Sequence, residues 1–139
     1  MIAFRCDATP SIGYGHVRRC LALASMYRRL GLEVVFVMRQ GMKVVRDLLE
    51  QYDSGLVVRP DHRTCMEYLL AKKKHIQLAV IDHYEIGDRW EKKIAGAFPV
   101  MVIDDLCRSH WCDILVDQTF GRQDRDYNGK LHNPLTRRL

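Results

Sequence analysis

Residues 5–24 read Arg5-Cys-Asp7-Ala-Thr-Pro-Ser-Ile-Gly13-Tyr14-Gly15-His16-Val-Arg-Arg19-Cys-Leu-Ala-Leu-Ala24, and a short apolar run, Ile2-Ala-Phe4, leads into them. A strand, a glycine loop and a helix follow one another within this stretch. Gly13 and Gly15 carry no Cβ, so the loop can take a positive φ and let a ligand approach its backbone. The helix after the loop opens with N–H groups that lack intrahelical partners. Together with the positive end of the helix dipole, they suit a phosphate or another anion. His16 stands at that helix start, where an imidazole can exchange a proton near neutral pH. The glycine spacing is neither the six-residue dinucleotide fingerprint nor a P-loop with its lysine. Taken alone, the loop is equally well described as a strand-to-helix turn carrying a surface histidine.

Working outward from this loop, strand and helix patterns alternate. From 16 to 30, Val17, Leu21, Ala24, Tyr27 and Leu30 recur at helical spacing, with Arg28, Arg29 and Gly31 suited to the helix end. Residues 33–38 contain the apolar run Val34-Val-Phe-Val37 and predict a strand, and 42–51 predict a second helix. A short strand at 56–58 follows. A capping box formed by Thr64 and Glu67 predicts a helix over 65–74. Strands are then expected at 78–81, 100–103 and 114–116, with a helix over 88–97. Continuous apolar strands separated by helices indicate a parallel sheet covered on both faces. Such sheets bind ligands beyond the carboxyl ends of their strands. Polar residues gather there: Asp7 and His16, then Asp82-His83-Tyr84, Asp104-Asp105 and Asp117-Gln118.

The chain has 139 residues, about one domain in length, with 47% hydrophobic and 28% charged residues. Residues 1–120 read as that domain and 121–139 as a polar connector without a clear period. No apolar run approaches the roughly 18–20 residues that span a bilayer, so no membrane partner is expected. The basic residues behind the net charge of +5 lie in scattered short clusters with no interleaved aromatics. That pattern disfavours nucleic acid and suits a smaller polyanion. The five cysteines form no C-x-x-C pair and no zinc spacing, which points to a reducing cytoplasm.

Asp7 is open to two roles: it can orient His16 as half of a dyad, or accept N–H groups of the glycine loop. Tyr84 is a candidate partner for a substrate, while His83 suits backbone groups. Adjacent residues at a strand end point in opposite directions. One of Asp104 and Asp105 is therefore expected to cap loop N–H groups and the other to face the cleft, in preference to a metal site. His62, His75, His110 and His132 are expected to have no special role. A serine hydrolase has no support, since G-x-S-x-G is absent.

Together these motifs resemble the nucleotide-sugar hydrolases of pseudaminic acid biosynthesis, which remove UDP from UDP-2,4-diacetamido-2,4,6-trideoxy-β-L-altropyranose. The resemblance rests on Arg5-Cys-Asp7, Ile12-Gly-Tyr-Gly-His16, Arg19-Cys-Leu-Ala-Leu-Ala24, Val80-Ile-Asp-His-Tyr84, Val102-Ile-Asp-Asp-Leu106 and Cys112-Asp-Ile-Leu-Val-Asp-Gln118, with Asp126-Tyr127 after them. These blocks keep the family order and cover essentially the whole chain. The resemblance implies an α/β, three-layer Rossmann-like parallel sheet, one half of a GT-B architecture like that of the lipid II glycosyltransferase. It also implies inverting hydrolysis without metal or cofactor, in which His16 activates water at C1 and UDP departs. Asp7, Gly13, Tyr14, Gly15 and Tyr84 would then lie at the substrate, with Arg19, Asp82, Asp105 and Gln118 in support. Family members run to roughly twice this length. The chain is therefore expected to be the amino-terminal half, with the nucleotide clamp on a second domain or partner chain. Two alternatives are a half-domain of a nucleotide-sugar glycosyltransferase and a non-catalytic module that assembles with a partner.

Overall fold

Apolar runs with no polar alternation can settle only in strands buried on both faces, and these runs form the centre of the sheet. The computed structural model describes residues 1–139. The elements alternate as β1 (Ile2–Cys6), α1 (Gly15–Arg29), β2 (Val34–Met38), α2 (Lys43–Gln51), β3 (Gly55–Val58), α3 (His62–Ala71), β4 (Leu78–Asp82), α4 (Asp88–Ile94), β5 (Val100–Ile103) and β6 (Ile114–Val116). A 3-10 helix at Asp124–Tyr127 and a two-residue strand, β7 (Arg137–Arg138), follow. The seven strands lie in the order β3-β2-β1-β4-β5-β6-β7 and all pair in parallel. This is the doubly wound order of a Rossmann-like domain, whose direction reverses between β1 and β4. The three-layer expectation is met, and no helix is long and apolar enough to cross a membrane.

Side chains along each strand alternate between two cores. Phe4, Cys6, Val80, Met101 and Ile103 pack with Val17, Leu21 and Ala24 of α1 and Val45 and Leu49 of α2. Ala3, Ala79, Ile81, Val100 and Val102 pack with Cys65 and Leu69 of α3 and Ile94 of α4. This alternation decides which face each polar residue beyond a strand end occupies. Cys6 pairs in register with Asp82 across β1 and β4, so the two strands end level at the crevice.

Three elements differ from the sequence expectation. The capping box pairs Asp61 with Thr64 instead of Thr64 with Glu67: the Asp61 carboxylate accepts the Thr64 N–H at 2.7 Å, and the Thr64 hydroxyl accepts the Asp61 N–H at 3.3 Å. With Asp61 as N-cap, α3 starts at His62 and ends at Ala71. Helix α4 stops at Ile94 because Ala95 is extended and Gly96 takes φ +80°. Residues 121–139, expected to lack regular elements, contain the 3-10 helix and return to the sheet. There β7 pairs with Ile114 and Leu115 of β6, so backbone groups of a polar, aperiodic segment complete the edge.

A buried charge cluster ties β5 to α4. His110 donates from Nδ1 to Glu91 at 2.9 Å and places Nε2 3.3 Å from Asp104, all three side chains being fully buried. Burial alone would push the His110 imidazole down, but the two carboxylates raise it to about 9. A group whose folded value is raised stabilises the fold below its unfolded value of 6.5 and loses that contribution as pH climbs towards 9. Guanidinium unfolding should therefore show stability falling by about 2–3 kcal/mol between those values. His110→Phe should lack this slope, and an equal slope in the variant would remove His110 as its source.

Candidate functional site

The loop after β1 delivers an uncapped helix start to the crevice between β1 and β4. Gly13 takes φ +78°, where an L side chain is strained, and its N–H donates to the Thr9 carbonyl at 2.7 Å. The Thr9 hydroxyl accepts the Ile12 N–H at 3.1 Å. Tyr14 is the N-cap of α1 and gives no side-chain cap. The first intrahelical bond runs from Arg18 N–H to the Tyr14 carbonyl. The N–H groups of Gly15, His16 and Val17 are therefore left without partners in the chain. Such a set of donors can accept an anion.

His16 begins this helix and faces Asp82 at the end of β4. Its Nδ1 lies 2.6 Å from Asp82 Oδ1, and because an ionised carboxylate can only accept, Nδ1 carries the proton. Nε2 makes no hydrogen bond within the chain and is the free basic nitrogen. Arg19, one turn along the same face, donates Nε to Asp82 Oδ2 and Nη2 to Oδ1, each at 2.5 Å. The buried Cys20 thiol adds a contact to Oδ2 at 3.6 Å. Burial alone would raise the Asp82 carboxyl, but the bonds from Arg19 and His16 outweigh it and hold it below the ordinary carboxylate value.

Arg19 reaches a second acid. Its Nη1 donates to Asp105 Oδ2 at 3.0 Å, and the Tyr84 hydroxyl donates to the same oxygen at 3.1 Å. The Tyr84 ring meets the His16 imidazole edge-on, 4.6 Å between centroids. Burial and the Asp105 carboxylate push the Tyr84 phenol up, so it remains a donor. The expectation for the adjacent acids is met. Asp105 faces the cleft, and Asp104 accepts the Arg108 N–H at 2.8 Å on the other face.

Asp7 does not meet His16. Alternation turns it to the opposite face of the sheet, where it accepts from Arg5 at 2.8 and 3.1 Å, from Arg39 N–H at 2.8 Å and Nε at 2.5 Å, and from His83 Nε2 at 2.8 Å. The carboxylate that orients His16 is Asp82, and neither reading of Asp7 at the glycine loop describes its contacts. Burial would raise the Asp7 carboxyl, yet the His83, Arg5 and Arg39 bonds hold it well below the usual range. His83 Nδ1 accepts the Glu85 N–H at 3.0 Å. His62 Nδ1 takes an N–H from Arg5 at 2.9 Å, and its Nε2 donates to Glu85 at 3.0 Å.

His62, His83 and Glu85 bring ligand-type atoms within 4.8 Å of one another. Each imidazole nitrogen is already engaged, and the Arg5 and Arg39 cations stand beside them, so this group is built as a charge network. Reading the sequence missed Arg5, Arg39, His62 and Glu85 as its members. The available signal was the alternation that sets Arg5, Asp7 and His83 on one face. Tyr14 is exposed and lines a groove with Arg18, Val44 and Leu48, apart from His16. Gln118 is exposed beyond β6 and makes no hydrogen bond. A cavity of about 250 Å³ lined by Ser11, Ile12, His16, His83, Tyr84 and Glu85 opens beside His16.

No family model matches the chain. It is similar to the UDP-2,4-diacetamido-2,4,6-trideoxy-β-L-altropyranose hydrolase of Campylobacter jejuni, with 28% identity over 130 residues. The similarity covers 92% of this chain and 45% of that enzyme, so the chain spans about half the length of the relative it matches. The resemblance read from the motifs is thus found independently over nearly the whole chain.

The Asp7 network generates a stability prediction. Arg5 is fully buried, and removing its carboxylate leaves an uncompensated cation, at a cost of about 3–5 kcal/mol. Asp7→Ala should lower chemical-denaturation stability by that amount. A change under about 1 kcal/mol, the scale of an exposed pair, would contradict the buried-ion account.

Proposed function

We propose that this chain is the base-bearing domain of a UDP-sugar hydrolase acting on UDP-2,4-diacetamido-2,4,6-trideoxy-β-L-altropyranose, with His16 as general base. The observation that carries the proposal is that His16, which lines a cavity beside an uncapped helix start, has Nδ1 bound to Asp82 and Nε2 free of any hydrogen bond in the chain. The similarity to the hydrolase supports the choice of substrate. In the reaction, Nε2 takes a proton from water as the water oxygen bonds to C1. The C1–O bond to the diphosphate breaks, and UDP leaves with the bonding pair. Attack from the face opposite the leaving group inverts the configuration at C1. Asp82 fixes the tautomer that exposes Nε2 and pairs with the imidazolium once it forms. Arg19 keeps Asp82 ionised, so the proton stays on His16. The N–H groups of Gly15, His16 and Val17 face the negative charge that grows on the departing diphosphate.

The 45% coverage supports a second domain in the whole enzyme that completes the nucleotide clamp in a GT-B arrangement. The five free thiols fit a reducing cytoplasm.

In the enzyme carrying this domain, His16→Ala should lower kcat by about 10²- to 10⁴-fold with the circular dichroism spectrum intact. Asp82→Asn should give a loss on the same scale, because an amide can donate to Nδ1 and turn the proton onto Nε2. Turnover within threefold of wild type in His16→Ala would remove the base role. Chelation with EDTA should leave kcat unchanged, and a loss restored by added divalent metal would contradict the metal-free route.

A further inference from the structure

Glu85 lines the same cavity as His16 and has no part in the proton transfer just described. Its Oε2 is fixed from two sides, by Arg39 Nη1 at 2.9 Å and His62 Nε2 at 3.0 Å. Both partners are themselves rooted in buried groups, Arg39 on Asp7 and His62 on Arg5. The Glu85 main chain is held as well, through its N–H bond to His83. Only Oε1 has no partner in the chain, and the side chain is 56% exposed. A carboxylate anchored through one oxygen presents the other as a directed acceptor. Binding to it costs little reorganisation.

The remaining walls suit a sugar ring. The Tyr84 ring and Ile12 offer apolar surface, and the Ser11 hydroxyl, paired with Thr9 at 2.9 Å, adds a polar group. About 250 Å³ lies below the usual 300–1,000 Å³ of sites that bury a drug-sized ligand. The space takes a single pyranose ring without its nucleotide. His16 on the rim would then reach C1 of a ring seated within.

We propose that this cavity seats the sugar ring of the substrate and that Glu85 Oε1 selects rings presenting an N–H or O–H donor to it over rings presenting a carboxylate. The inference rests on the UDP-sugar reading of the site and names the group that gives it sugar specificity. A donor bonded to a charged acceptor is worth about 1.5–3 kcal/mol, or roughly tenfold or more in affinity. A carboxylate in the same position loses that bond and meets a like charge.

The test is chemical-shift titration of the isotopically labelled 139-residue chain with N-acetylglucosamine and, separately, glucuronate. N-acetylglucosamine should shift the amides of Ser11, Ile12, His16, Tyr84 and Glu85 with about tenfold tighter apparent binding than glucuronate. Glu85→Gln should abolish or reverse that preference while keeping a dispersed spectrum. Equal binding of the two sugars by the wild-type chain, no binding of either, or a preference unchanged in Glu85→Gln would each overturn the proposal. The wild-type comparison stands even if the variant fails to fold. Sugar discrimination through Glu85 with full turnover in His16→Ala would uphold this proposal and overturn the hydrolase reading. Absent discrimination with turnover lost in His16→Ala would do the reverse.

Discussion

An ionised carboxylate buried at the end of a central strand is the constraint around which the site is arranged. Asp82 has no exposed surface, and taking such a charge out of water costs several kcal/mol unless it is paired and hydrogen-bonded. Helix α1 supplies the partners. His16, Arg19 and Cys20 lie at i, i+3 and i+4, the spacing that puts three side chains on one helical face. Val17, Leu21 and Ala24 bury the helix against β1 and fix its rotation. The need to neutralise Asp82 therefore determines where the imidazole stands and which of its nitrogens is free.

Two polar networks share the crevice without mixing, because the sheet separates them. On the α1 face, Asp82 and Asp105 are joined through Arg19, and Tyr84 closes the arrangement over His16. On the α3 face, Asp7 collects Arg5, Arg39 and His83, and Glu85 and His62 extend the network to the surface. The first network holds an imidazole whose Nε2 makes no hydrogen bond in the chain. The second saturates nearly every polar atom and stiffens the loop after β4, which carries Tyr84 and Glu85 into the cavity. Tyr84 on the His16 side and Glu85 on the other thus belong to one loop, supported from opposite faces of the sheet.

Much of this was legible in the sequence. The apolar runs located the inner strands to within about a residue, and the loop after Ile2-Ala-Phe4 marked the crevice. The opposite facing of Asp104 and Asp105 followed from strand alternation. The partner of His16 did not emerge, because Asp7 is near it in the chain while Asp82 is near it in space. The parity rule that separated Asp104 from Asp105 also places Asp82 with Cys6 on the α1 face and Asp7 with Arg5 on the other. Applying it required knowing that β1 and β4 are neighbours, which is a fact of sheet order. The fold of 121–139 was illegible for a different reason: β7 is held by main-chain bonds to β6 and its two arginines carry no hydrophobic signal.

The central claim is that Asp82 holds His16 with the proton on Nδ1 and a free lone pair on Nε2. Nitrogen-15 NMR of the imidazole ring in the neutral form reads this directly. The account predicts a protonated, pyrrole-like Nδ1 and an unprotonated, pyridine-like Nε2 in the wild-type chain, with the assignment lost in Asp82→Asn. A neutral His16 protonated on Nε2 in the wild-type chain would contradict it.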